Sequence, residues 1–220
     1  MSQEYNEINN MFLKELNTNL ISIILGGSRG KNNEINNWSD YDLYLVLKEI
    51  SLDDIIKIRE INKNLEEKLN CHVGITYYTE QEIKNKNIDD KTFVMLYEKN
   101  NFNCNPTLYG NLSNINISYY EILEIDQYVF PQIVNEVKRN ILLNDYKKII
   151  KKVTLLIKII LRKNNIFCYG YENIFMEFYS LMEKKKIDFI NKIDILECIL
   201  TNDKKIIFFA TELLKICYNL

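Results

Sequence analysis

Residues 24–30 read Ile-Leu-Gly-Gly-Ser-Arg-Gly and residues 39–47 read Ser-Asp-Tyr-Asp-Leu-Tyr-Leu-Val-Leu. The first stretch ends a short β-branched apolar run, Leu20 to Leu25, that stops at Gly26 as a buried strand does on meeting a turn. Gly26, Gly27 and Gly30 are three of only six glycines in the chain. Clustered glycine lets backbone take positive φ or approach a ligand closely, so this turn suits an anion. The second stretch alternates. Asp40, Asp42, Tyr44 and Val46 share one strand face, and Tyr41, Leu43, Leu45 and Leu47 share the other.

One of these faces is greasy and the other begins with two carboxylates. Two residues along a strand span roughly 7 Å. Like charges at that separation repel by about 2 kcal/mol at an effective dielectric near 20, and a cation between them reverses the cost. Oxygen-only donors beside an amide-lined turn suit Mg²⁺ with a nucleotide better than zinc, which prefers His and Cys. A P-loop is excluded: it needs four residues between its glycines and a Ser or Thr after the lysine, whereas Gly26 to Gly30 leaves three and Asn32 follows Lys31.

Gly26-Gly27-Ser28, eleven further residues and then Asp40-Tyr41-Asp42 resemble the glycine-turn and DxD signature of the DNA polymerase β-like nucleotidyltransferase superfamily. The likeness is greatest to its small-substrate branch, which includes aminoglycoside and lincosamide nucleotidyltransferases and minimal enzymes of toxin and antitoxin pairs. That resemblance implies that Gly26, Gly27, Ser28 and Arg29 hold the phosphates of ATP or another nucleoside triphosphate, and that Asp40 and Asp42 bind Mg²⁺ and carry the catalysis. It implies transfer of a nucleoside monophosphate, adenylyl first, to a hydroxyl of a small molecule such as an antibiotic. Modification of a protein or a tRNA, or a catalytically weak nucleotide-binding partner protein, are the alternatives.

The family usually sets a third carboxylate on a neighbouring strand. Here the matching strand, Cys71 to Thr79, carries none on either face. The base is therefore sought elsewhere: at Glu80 or Glu82 just past the strand, or at Glu121, Glu124 or Asp126. His72, the lone histidine, is a weaker candidate for that base, with a hydrogen-bonded structural role as the simpler reading, and Trp38 and Tyr41 beside the aspartates are candidates for stacking on the nucleobase, with packing as the simpler reading.

The 220 residues, 47% hydrophobic and 26% charged, are those of a globular protein with a packed core. A net charge of −2 announces neither nucleic acid nor an anionic membrane as partner. Residues 1–110 hold 12 basic and 17 acidic side chains, and 111–220 hold 16 and 13. Together with the asparagine-rich stretch Asn111 to Ile117, this suggests a nucleotidyltransferase domain over 1–110 and a helical substrate-binding domain over 111–220, with the active site between them. Five scattered cysteines without a CxxC pair read as reduced thiols. No leader peptide or membrane span is expected, so the reading is cytoplasmic, with a homodimer left open.

The pattern predicts an α+β chain: a small mixed-sheet core followed by helices only. Helices are expected over 4–18, 52–69 with Ser51 as cap, and 80–98 broken near Asp89, with a turn at Asn100 to Pro106 and an edge strand at 107–109. Further helices are expected over 119–143, 145–163, 171–184, 188–201 and 203–218. From Lys138 to Lys163 there are nine basic residues against one acid. Lys147, Lys151, Lys158 and Arg162 share one helical face, read either as solvated or, through Lys147, Lys148 or Lys151, as a contact for triphosphate.

Overall fold

A computed structural model describes residues 3–31, 40–102, 104–112, 115–187, 193–201 and 203–219. The fold is α+β, with a four-stranded mixed sheet and a helical C-terminal half. The chain divides into two compact units, residues 1–118 and 119–220.

In the first unit, helix α1 (Gln3–Leu16) leads into β1 (Leu20–Gly26), which returns as β2 (Tyr41–Leu47). Helix α2 (Leu52–Leu69) crosses to β3 (Val73–Thr79), helices α3 (Glu80–Lys84) and α4 (Asp90–Phe102) follow, and β4 (Thr107–Gly110) closes the sheet. The strand order is β3-β2-β1-β4, with β1 antiparallel to both β2 and β4 and β3 parallel to β2. A parallel neighbour needs a crossover, and the 18 residues of α2 provide it. Ser51 starts that helix by accepting from the Asp54 amide at 3.1 Å, and Asn70 stops it in the left-handed region at φ 49°.

The alternation in β2 separates two buried faces. Tyr41, Leu43, Leu45 and Leu47 pack with Ile8, Phe12 and Leu16 of α1 and Ile58, Ile61 and Leu65 of α2. The opposite face is also covered once past Asp42, because Ile24, Tyr44 and Val46 are buried too. Within β2 only Asp42 remains partly accessible.

The second unit contains α5 (Tyr119–Leu142), α6 (Tyr146–Lys163), α7 (Tyr171–Lys184), α8 (Ile195–Thr201) and α9 (Lys205–Ile216). Helix α6 is its centre, with Ile149, Ile150, Val153, Leu156, Ile157 and Ile160 buried against α5, α7 and α9. The basic stripe expected along α6 ends inside the protein. Arg162 is buried, its Nε and Nη2 donating to Asp126 Oδ2 and Oδ1 at 2.7 and 2.5 Å. Lys147, Lys148 and Lys151 are exposed, and Lys148 pairs with Asp145, the residue that caps the helix.

Other boundaries differ modestly from the sequence reading. The third strand begins at Val73 rather than Cys71, and α4 extends to Phe102 into the expected turn. The helix expected over 188–201 begins at Ile195, and residues 188–192 lie outside the described residues. No disulfide joins any of the five cysteines. Among the described residues no helix is long and apolar enough to cross a membrane.

Candidate active site

The ladder between β1 and β2 opposes Gly26 to Asp42, and that between β2 and β3 opposes Asp42 to Gly74. Asp42 therefore stands on an inner strand with a glycine on either side. Its carboxylate lies against the next residue of the turn, Gly27. A Cβ on Gly27, whose φ is +64°, would run into Asp42 Oδ2, whereas a Cβ on Gly74 would stand at an ordinary 3.6 Å from Oδ1. Gly27 is thus required twice, by its left-handed backbone and by the carboxylate beside it. Gly26 is needed by a different neighbour, since a Cβ there would meet the Tyr44 ring.

Asp42 Oδ1 also receives the Lys91 ammonium at 2.7 Å, with 27% of the Asp42 side chain and 66% of the Lys91 side chain exposed. Lys91 is the second residue of α4. The helix is anchored there by Asp89, whose carboxylate accepts from the Thr92 amide at 3.0 Å, from the Thr92 hydroxyl at 2.8 Å and from the Tyr78 hydroxyl on β3. Loss of hydration pushes the Asp89 carboxyl up, but the bonds from Tyr78 and Thr92 outweigh it and hold the group below the usual carboxylate range.

Tyr44, two residues beyond Asp42 on the same face, is 3% exposed. Its hydroxyl has no hydrogen-bond partner among the described residues. Burial, with the neighbouring charge of Asp42, raises its pKa far above the ordinary tyrosine value, so it stays neutral.

The glycine turn itself is braced from behind. Lys31 pairs with Glu98 of α4, their side chains 14% and 5% exposed, and Asn105 donates its amide to the Gly30 carbonyl at 2.6 Å. Lys31 is thereby committed to structure, in keeping with the exclusion of a P-loop. Arg29 lies 4.1 Å above the centroid of Tyr41 and donates to its hydroxyl at 3.3 Å; that hydroxyl donates in turn to Glu4 at 2.6 Å. Tyr41 belongs to the face opposite Asp42, so this arginine is engaged with the α1 side of the sheet.

Of the residues singled out in the sequence, Gly26, Gly27 and Asp42 come together, and Ser28 and Asp40 adjoin them in the chain. Glu80 does not join them. Gly74 is the residue beside Asp42, and β3 runs about 16 Å from there to Thr79 before Glu80 begins. Glu80 pairs instead with Lys84 at 2.8 Å, and Glu82 bonds back to the Thr79 amide and hydroxyl as a capping box.

In the second unit Asp126 is locked to Arg162, while Glu121 is half-buried in the first turn of α5 and Glu124 is exposed. His72 precedes β3, is 68% exposed and pairs with Glu66 at 2.6 Å. Trp38 lies outside the described residues. Lys91 escaped the sequence reading, although a signal was present: a cation in a helix's first turn opposes the macrodipole unless an anion meets it.

Whether this donor set fits Mg²⁺ rests on its chemistry. Among the described residues no three His, Cys, Asp or Glu side chains converge as a complete metal cluster. Mg²⁺, however, is commonly held by one or two carboxylates with substrate phosphates and water completing its shell. Asp42 is a partly exposed carboxylate that already attracts a cation, and the set fits on those terms.

The α+β fold that carries this site is shared with a protein of known structure. No protein-family model matches the sequence, and no curated protein matches it significantly. The structure is similar to the crystal structure of spectinomycin adenyltransferase AAD(9) from Enterococcus faecialis, determined with ATP and spectinomycin. The similarity covers 97% of this chain and 98% of that one, with a TM-score of 0.60 and 16% sequence identity.

Proposed function

We propose that the chain is an Mg²⁺-dependent nucleotidyltransferase that moves a nucleoside monophosphate, from ATP first, to a hydroxyl of a small molecule such as an antibiotic. The observation that carries this reading is the seating of Asp42 between Gly27 and Gly74, a partly exposed carboxylate directly against the glycine turn. The full-length likeness in fold to an adenyltransferase solved with ATP and spectinomycin supports it.

In the reaction the acceptor hydroxyl attacks the α-phosphorus, the bond from that phosphorus to the bridging oxygen breaks, and pyrophosphate leaves. Asp40 and Asp42 would hold the metal. When bound, Mg²⁺ supplies Lewis-acid charge neutralisation on the phosphate oxygens. The Gly26-Gly27-Ser28 turn seats the triphosphate against the backbone, and Lys147 and Lys151 are assigned as further phosphate contacts. The hydroxyl proton needs an acceptor. With Glu80 beyond the far end of β3, that role is assigned to Glu121.

The test is to incubate purified protein with labelled nucleoside triphosphates, Mg²⁺ and pools of spectinomycin, aminoglycosides and lincosamides, and to measure pyrophosphate release and labelled product. Wild type is expected to label an acceptor, and Asp42→Asn to lose both transfer and metal-dependent nucleotide binding. Neither transfer nor Mg²⁺-dependent nucleotide binding by wild type overturns the proposal.

A further inference from the structure

Lys91 stands where a helix least favours a cation, one residue into α4, and the start of that helix is fixed by Asp89. Tyr78 holds Asp89, Asp89 holds Thr92, and the helix start so fixed sets the Lys91 ammonium 2.7 Å from Asp42 Oδ1 and 5.9 Å from the centroid of the Tyr44 ring. Two-thirds of the lysine side chain is exposed, and ion pairs of that kind contribute little to stability. The pair therefore has little structural purpose, yet it places a positive charge on the carboxylate assigned above to the metal.

We propose that Lys91 is a resident cation of this site. It neutralises Asp42 in the free protein, gives up Oδ1 when metal and nucleotide arrive, and swings its ammonium to the phosphates. Rivalry for Oδ1 follows from charge, because an ammonium and a divalent ion in contact with one oxygen repel each other strongly. Release is open to a lysine in a way it is not to a buried arginine fork, since four methylenes and a mostly solvated head let the charge move several ångströms without disturbing the core. The 66% exposure of the Lys91 side chain leaves it free to make that movement through solvent.

This inference rests on the nucleotidyl-transfer reading, and two equilibrium measurements on the full chain test it without any turnover. Mn²⁺ alone, followed by electron paramagnetic resonance at fixed ionic strength, is expected to bind Lys91→Met about fivefold more tightly than wild type, because a competitor has been removed. Mg·ATP, followed by calorimetry, is expected to bind the same variant about tenfold more weakly, because a charge-assisted phosphate contact has been lost. Lys91→Arg should restore most of the Mg·ATP affinity. The opposite signs are the discriminating feature, since a merely structural lysine would move both affinities the same way. Mn²⁺ affinity that fails to rise, or Mg·ATP affinity that fails to fall, overturns the role of Lys91 and leaves the nucleotidyl-transfer reading in place. A wild-type protein that takes up neither Mn²⁺ nor nucleotide overturns both.

Discussion

Asp42 and Gly74 face each other across the parallel ladder of β2 and β3, and a Cβ at Gly74 would lie 3.6 Å from Asp42 Oδ1. The strand neighbour of the central carboxylate thus accommodates a Cβ and carries none. The sequence resemblance implies a third carboxylate on a neighbouring strand, and the residue that pairs with Asp42 there is Gly74.

Gly74→Asp is expected to put a second negative charge within about 5 Å of Asp42. At an effective dielectric near 20 the repulsion is about 3 kcal/mol, reduced by what a side chain gains over glycine in a strand. The variant should lose about 2 kcal/mol of stability in metal-free buffer and regain it with Mn²⁺. Urea denaturation with and without the ion measures this. A variant whose stability Mn²⁺ does not change would remove Gly74 from the site.

Asp126 and Arg162 form a buried ion pair in the helical unit, with side chains 4% and 7% exposed and two hydrogen bonds between them. Arg162→Met should cost about 3–5 kcal/mol, because it strands a buried carboxylate. The double replacement Asp126→Leu with Arg162→Met should recover most of that loss. Chemical denaturation of the two singles and the double gives the coupling directly, and additive losses would show that the pair is not a unit.

Asp89 links β3 to α4, and its carboxyl is held below its ordinary value by the bonds from Tyr78 and Thr92. A depressed folded-state pKa contributes stability that is present above the unfolded-state pKa and is lost as pH falls through the folded-state one. Asp89→Ala should therefore be less stable than wild type at pH 7, by about 1 kcal/mol for the lost cap. The gap should narrow as pH falls below about 4, the ordinary carboxyl value, toward the lower folded-state one. Thermal unfolding of both proteins at pH 7 and pH 3 measures the difference. A gap that stays constant would mean that Asp89 acts through packing alone.

What could be read from the sequence was local. The period-two pattern of Tyr41 to Leu47, the Ser51 cap, the break near Asp89 and the edge strand before Gly110 each depend on residues within a few positions of one another, and each is present. Long-range pairing was not legible. Lys91 lies 49 residues from Asp42 and Arg162 lies 36 from Asp126, so neither partnership leaves a periodic trace. Arg162 shows the cost of reading charge by period alone, since a helical stripe of Lys and Arg looks solvated whether or not its last member turns inward onto a buried acid. His72 misled in the opposite direction, because a residue two positions into an apparent strand proved to be the exposed entry to it. Register decided the rest. Only when Gly74, and not Glu80, is known to lie beside Asp42 does the absence of a third acid acquire a location.

The antiparallel pairing of Gly26 with Asp42 has a consequence for how such chains are traced through evolution. The turn and the carboxylate are joined by ladder hydrogen bonds and not by the stretch of sequence that separates them. Doubling the length of a connection costs only about 0.6 kcal/mol in closure entropy. Natural selection is therefore free to lengthen or trim the spacer between Ser28 and Asp40 while the two ends of the motif stay in register. Distant kin of this chain are better sought by a strand ending in paired glycines and a returning strand opening in Asp-x-Asp than by any fixed count of residues between them.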